Sequence, residues 1–224
     1  MNAIGLLGGS FNPAHRGHRA ISLSVIDALA LDEMWWLVSP GNPLKPAKGM
    51  APLAARLASA RKQARRAPIR PTAIEAALGT RYTINTLSRL ARLYPRRRFI
   101  WVMGADNLAQ FHRWKDWRRI AQIMPIAVVA RPGYNASAVA APAMAWFRRY
   151  VRRPGQAKNW IHWSRPALVF LRFPPDPNSA TALRMADPDW HLQYSESNPR
   201  DAVTRQYVRR ASANKAANKG MTVD

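Results

Sequence analysis

Two adjacent glycines set between a short apolar run and an amphipathic helix constrain this chain more than any other feature. Ile4-Gly5-Leu6-Leu7 leads into Gly8-Gly9-Ser10-Phe11-Asn12-Pro13-Ala14-His15-Arg16-Gly17-His18, and apolar residues then recur at Ile21, Val25 and Leu29. That order reads as a strand over 2–7, a glycine turn, and a helix over 18–29. A turn of this kind bares backbone N–H groups at the positive end of a helix, which suits a phosphate. His15 and His18 stand three apart and so share one face of the first helical turn.

The same alternation continues down the chain. Residues 34–38 and 98–103 read as strands, with a Pro/Gly-punctuated loop over 39–46 between them. Helices are expected over 51–66 and 82–93, a short strand over 69–74, a short helix over 117–123 and a strand over 125–130. A helix over 139–150, a strand over 167–171 and a helix start over 179–185 follow. Strands alternating with helices predict an α/β fold: a Rossmann-like, doubly wound parallel sheet in a single domain. Ligands of such sheets sit at the carboxyl ends of strands where the strand order reverses, and both Gly8 and Gly104 are expected there. We place the domain at 1–187, with a basic, Trp-rich insertion at 131–166. Beyond Asp187 no periodicity holds, so 188–224 is expected to be a basic, partly disordered tail.

Composition narrows the function classes. There is no cysteine, which excludes disulfides and thiolate metal sites. No apolar stretch reaches the roughly 18 residues of a membrane helix, and no leader is visible, so a cytoplasmic protein without a membrane partner is expected. Lys and Arg total 35 against 12 Asp and Glu, a net charge of +23. No acidic residue occurs from Met34 to Ile74 or from Arg131 to Pro166. Such a field attracts anions, whether nucleotides, pyrophosphate or RNA.

Further candidates lie where the pattern puts loops. Lys45 follows the second strand as a cation within reach of the glycine turn. Asp106, in Gly104-Ala105-Asp106-Asn107, sits at a strand end, suited to cap a helix or to accept from ribose hydroxyls. Trp114 and Trp117 lie beside Arg113, Lys115 and Arg118 and are suited to stack a planar ring. Thr83 is placed as an N-cap-like hydroxyl of the 82–93 helix.

The run from Gly8 to His18 closely resembles the G-G-S-F-N-P-x-H-x-G-H signature of the nucleotidyltransferases that move adenylyl or cytidylyl groups. Within them it is most similar to the bacterial nicotinate-nucleotide adenylyltransferases. Pro43-Leu44-Lys45 resembles the family's Pro-x-Lys loop, Gly104-Ala105-Asp106 its G-A-D motif, and Tyr82-Thr83-Ile84-Asn85-Thr86-Leu87 its Y-T-x-x-T-L helix start. Ser179-Ala180-Thr181-Ala182-Leu183-Arg184 resembles S-S-T-x-I-R, with Ala180 in place of a hydroxyl. The resemblance runs from Ile4 to about Arg184.

It implies adenylyl transfer from ATP to nicotinate mononucleotide, as a step of NAD biosynthesis. His15, His18 and Arg184 would be catalytic. Gly8, Gly9, Ser10, Phe11, Gly104, Asp106, Ser179 and Thr181 would bind ATP with them. Asn12, Lys45, Thr83 and Trp114, with Trp117 as the fallback, would bind the nicotinate nucleotide. Mg²⁺ would arrive with ATP, held by phosphate and water rather than by protein side chains. Glu75 matches an acidic family position to which we assign no chemistry. Two other readings remain open. One is another phosphate acceptor, nicotinamide mononucleotide or phosphopantetheine. The other is a nucleic-acid-binding protein whose strip is Trp146, Trp160 and Trp163 among Arg148, Arg149, Arg152, Arg153 and Arg165. The sequence leaves the oligomeric state open.

Overall fold

The computed structural model describes residues 2–41, 49–130, 140–173 and 179–208. Its strands are β1 (Ala3–Gly9), β2 (Glu33–Val38), β3 (Ile69–Thr72), β4 (Arg98–Gly104), β5 (Ile126–Ala130), β6 (Val151–Arg152) and β7 (Leu168–Arg172). They form one sheet in the order β3-β2-β1-β4-β5-β7-β6, and every neighbouring pair is parallel. The chain winds outward from β1 to β3, then returns to lay β4 on the other side of β1. The order therefore reverses between β1 and β4, and the crevice at their carboxyl ends is the ligand position of a doubly wound fold.

The sheet is covered on both sides, and residues along each strand alternate between two cores. Ile4, Leu6, Trp35, Leu37, Phe99, Trp101, Met103, Ile126 and Val128 belong to one. Met34, Trp36, Val38, Ile100, Val102, Ala127 and Val129 belong to the other. Helices α4 (Thr83–Leu93), α5 (Ala105–Ala109), α6 (Trp117–Ile123) and α7 (Pro142–Phe147) contribute to the first core. Helices α1 (Arg16–Leu29) and α2 (Leu53–Gln63) contribute to the second. The short α3 (Ile74–Ala77) follows β3, and α8 (Ala180–Ala186) follows β7.

Trp35 and Trp36 show the alternation within one dipeptide. The Trp35 indole N–H donates to Glu33 Oε1 at 2.8 Å on one face, and that of Trp36 donates to Ser22 Oγ at 2.7 Å on the other. Each buried indole thus meets the acceptor it requires.

Several boundaries differ from the sequence reading. Helix α1 starts at Arg16, with His15 in extended conformation as its N-cap, so both histidines lie at the turn itself. The strand expected over 69–74 stops at Thr72 and breaks into α3. Of the helix expected over 139–150, α7 keeps only the central turns. Residues 140–166 are built into the domain. Phe147 and Trp160 are buried, β6 pairs with β7, and the Trp160 indole N–H donates to Leu29 O at 3.0 Å. The half-buried Trp146 packs edge-on to Trp117 at 5.3 Å, and Trp163 packs against the second core. Those contacts engage the tryptophans that a base-stacking strip would need.

The chain also stays packed past Asp187. Trp190 and Asp201 are buried. Asp201 Oδ2 accepts from Thr72 Oγ1 at 2.9 Å and from the Ala73 N–H at 2.6 Å, fastening 188–208 across the end of β3. Within the expected tail, residues 188–208 are thus packed against the domain. No helix of the described residues is long and apolar enough to cross a membrane.

Ser22→Ala should leave the buried Trp36 indole N–H without its acceptor, at a cost of about 1–3 kcal/mol. Urea unfolding monitored by tryptophan fluorescence checks this; an unchanged midpoint would mean that the indole finds another partner.

Candidate active site

A cavity of about 550 Å³ opens at the carboxyl ends of β1 and β4, within the range of small-molecule sites. Its first wall is the turn after β1. Gly8 lies so close to Trp101 that a Cβ there would stand 2.6 Å from the indole Cη2, so only glycine lets the strand pass. Phe11 adopts φ +47°, in the left-handed region that costs a non-glycine residue about 1–3 kcal/mol. Its ring is held there by stacking on Trp36 at 5.0 Å and by contact with His18 at 4.8 Å. The strained residue swings the chain so that Ser10 and Asn12 also line the cavity.

The two imidazoles are arranged asymmetrically. His18 lines the cavity. The His15 backbone N–H donates to His18 Nδ1 at 3.2 Å. A neutral His18 must then carry its proton on Nε2, which makes it a donor. His15 is 6% exposed, with its ring centred 3.8 Å from that of His18, and it is not among the residues lining the cavity. It packs directly on His18.

Asn12 is also committed to the protein. Its Nδ2 donates to Gly49 O at 2.9 Å and its Oδ1 accepts from the Ala51 N–H at 3.1 Å. The amide thus clamps 49–51 to the turn while Asn12 also lines the cavity. Arg184 reaches back across the chain and donates to Asn12 O at 2.6 Å and to Thr181 Oγ1 at 3.2 Å. This joins the first and last motifs at one place. Ser179 caps α8 by accepting the Ala182 N–H at 3.1 Å. Ser179, Thr181 and Arg184 border the site without lining the cavity, whereas Ala180 does line it.

Other lining residues are aromatic and cationic. The half-buried Trp114 meets Trp101 at 6.3 Å and Phe111 at 5.3 Å, both edge-on, leaving it part of the cavity lining. Arg81, Arg113 and Lys115 line the same end, and Lys115 Nζ lies 4.9 Å from the Tyr82 ring centre. Thr83 lines the cavity as the first residue of α4, while Tyr82 takes the N-cap position. Gly104 and Asp106 line it from the end of β4; Gly104 is the N-cap of α5 and Asp106 lies in its first turn. Trp117 packs on Phe111, Trp146 and Phe147 instead and is not part of the lining. Lys45 lies outside the described residues.

Two charged residues at this edge were not singled out for a role by sequence. Glu75 lines the cavity and accepts from Thr86 Oγ1 at 3.2 Å. Burial pushes its carboxyl above the usual range, with hydroxyls of Thr86 and Ser39 opposing the shift. Arg56 is buried behind the wall, bonded to Ser10 and Ser39 carbonyls. The signal for each was a charge inside an otherwise small and apolar helical stretch. Among the described residues no three His, Asp or Glu side chains gather as a metal cluster.

The cytidylyltransferase-like family matches residues 6–186. A protein of Erythrobacter litoralis (strain HTCC2594) named "Probable nicotinate-nucleotide adenylyltransferase" is 63% identical over 204 residues, 91% of this chain and 93% of that protein. One of the same name from Bradyrhizobium sp. (strain ORS 278) is 49% identical over 187 residues, 84% of this chain and 97% of that protein. A solved structure, described as Plasmodium falciparum nicotinic acid mononucleotide adenylyltransferase complexed with NaAD, has a TM-score of 0.61 at 14% identity. It covers 83% of either chain, a likeness of fold.

Glu75 yields a pH-dependent prediction. Its folded-state pKa is raised, so ionising it costs stability as pH climbs from the unfolded value through the folded one. Glu75→Gln should raise the melting temperature at about pH 8, and the gain should vanish near pH 4, where both states hold the proton. Thermal melts across that range check it; a gain that does not vary with pH would contradict it.

Proposed function

Because the chain belongs to the cytidylyltransferase-like family and, within it, to the nicotinate-nucleotide adenylyltransferases, we propose that the β1–β4 crevice transfers the adenylyl group of ATP to nicotinate mononucleotide. The products are nicotinate adenine dinucleotide and pyrophosphate, a step of NAD biosynthesis. The observation that carries this reading is that one cavity is lined both by the glycine turn with His18 and by Trp114 with three cations.

A 5′-phosphate oxygen of nicotinate mononucleotide attacks the α-phosphorus of ATP. The bond from that phosphorus to the bridging oxygen breaks, and pyrophosphate leaves opposite the nucleophile. The attacking oxygen is already anionic, so no general base is required, and catalysis reduces to positioning and charge stabilisation. His18 Nε2–H is suited to donate to the phosphoryl oxygens as their charge redistributes, with His15 holding the ring. Arg184, Ser179 and Thr181 at the start of α8 are suited to the leaving pyrophosphate, and Asp106 to the ribose of the adenylate. Trp114 and Thr83 would receive the pyridine ring, with Arg81, Arg113 and Lys115 favouring an anionic one. Lys45 would add charge from its loop.

Family chemistry of this kind uses ATP with a divalent cation. The side-chain oxygens at the cavity are hard donors, and Mg²⁺ carried in on ATP would keep phosphate and water as its ligands. On the strength of its nucleotide substrates we place the reaction in the cytoplasm.

Pyrophosphate release should be fast with ATP, Mg²⁺ and nicotinate mononucleotide, and slow with nicotinamide mononucleotide or phosphopantetheine; preference for another acceptor would overturn the substrate assignment. His18→Ala should lower kcat by about 10²–10³-fold, the loss seen when one oxyanion donor is removed. Trp114→Ala should raise the KM for the nicotinate nucleotide by about tenfold or more, as lost ring stacking does, with little change for ATP.

A further inference from the structure

One buried cation takes no part in the chemistry above. Arg56 lies on α2 among Ala54, Ala55, Leu57 and Ala60, on the face turned into the protein, and it is 1% exposed. Its Nε donates to Ala51 O at 2.8 Å, its Nη1 to Ser10 O at 2.8 Å and Ser39 O at 2.6 Å, and its Nη2 to Pro40 O at 3.4 Å. All four acceptors are main-chain carbonyls, and no carboxylate among the described residues pairs with it. Desolvation pulls the guanidinium down to about 10, which leaves it charged at neutral pH.

The acceptors come from three separate segments. Ser10 belongs to the turn after β1, Ser39 and Pro40 follow β2, and Ala51 precedes α2. Ser10 and Ser39 also line the cavity, so Arg56 stands directly behind two of its walls. Under the adenylyl-transfer reading the turn at Ser10 holds the donor phosphates, and Ser39 lines the same cavity beside it. Carbonyl dipoles converging on one point repel each other unless a cation sits between them, and a planar guanidinium holds its acceptors at fixed directions.

We propose that Arg56 is a positioning residue for the transfer: its guanidinium ties the donor turn at Ser10 to the segment at Ser39 and Pro40, and so fixes the shape of the crevice in which the two reacting phosphates meet. This role rests on the adenylyl-transfer reading. Lysine at this position keeps the charge but loses the fork, and methionine keeps much of the stem and loses both. A misplacement of about 1 Å between reacting groups can cost about 10²-fold in rate without weakening either ligand.

The test compares wild-type protein with Arg56→Lys and Arg56→Met. It measures near-UV circular dichroism, calorimetric Kd values for Mg·ATP and for nicotinate mononucleotide separately, and kcat. Arg56→Lys should keep the fold and hold each Kd within about threefold, while kcat falls by about 10–100-fold. Arg56→Met should lose more of kcat. A folded Arg56→Lys with near-normal kcat would overturn the proposal. So would a loss carried wholly by the KM of one substrate, or one matching the unfolded fraction, since each assigns Arg56 to binding or to folding alone. Wild-type protein that releases no pyrophosphate strikes the adenylyl-transfer reading itself, and active wild type with indifferent variants strikes only the role of Arg56.

Discussion

A guanidinium surrounded by carbonyl oxygens holds the carboxyl edge of this sheet together. Strands β1 and β2 end side by side, where the Ser39 N–H donates to Gly9 O at 3.0 Å, and the loops after them share a further partner. Arg56 bonds both, and the segment leading into α2 as well. Burying such a charge is costly, and truncating a buried, bonded cation leaves several carbonyls unsatisfied together. The same edge carries the clamp of Asn12 on 49–51 and the reach of Arg184 back to Asn12. Three side chains bonded to main-chain atoms therefore hold together the segments around the cavity.

The sheet explains why the cavity stands where it does. Reversal of the strand order between β1 and β4 opens the crevice, and close approaches furnish it. Gly8 lets Trp101 lie against β1, and Trp101 in turn supports Trp114 edge-on. Phe11, held at φ +47° by Trp36, aims the first turn. Trp36 is anchored to α1 through Ser22, whose hydroxyl donates to His18 O at 2.8 Å. A single aromatic and hydroxyl chain thus connects the sheet interior to the histidine that faces the cavity.

Much of this was legible in the sequence because its signals are local. A strand, a glycine turn and a periodic helix identify themselves within thirty residues, and the near-continuous apolar runs along 34–38 and 98–103 mark strands buried on both faces. Of the residues expected to bind substrate, Gly8 to Phe11, His18, Thr83, Gly104, Asp106 and Trp114 line one cavity. What sequence could not supply was the direction of individual side chains. Asn12 spends its amide on the backbone, His15 turns behind His18, and Trp117 joins the core. Arg56 escaped for a related reason: a charge in a helix reads as solvated until its neighbours in space are known, and Glu75, noted beside the expected 69–74 strand, was given no chemistry. Strand β6, two residues long, is too short to show a period. The packed stretch 188–208 shows none either, because it is held by Trp190 and by the buried carboxylate of Asp201 rather than by a repeating face.

The most direct test of the whole account is a crystal structure of this chain with nicotinate adenine dinucleotide bound. The account predicts the pyrophosphate bridge against the turn from Gly8 to His18, within hydrogen-bond reach of His18 Nε2, and the pyridine ring face-on to Trp114. A dinucleotide lying away from that turn, or a pyridine ring out of contact with Trp114, would contradict it.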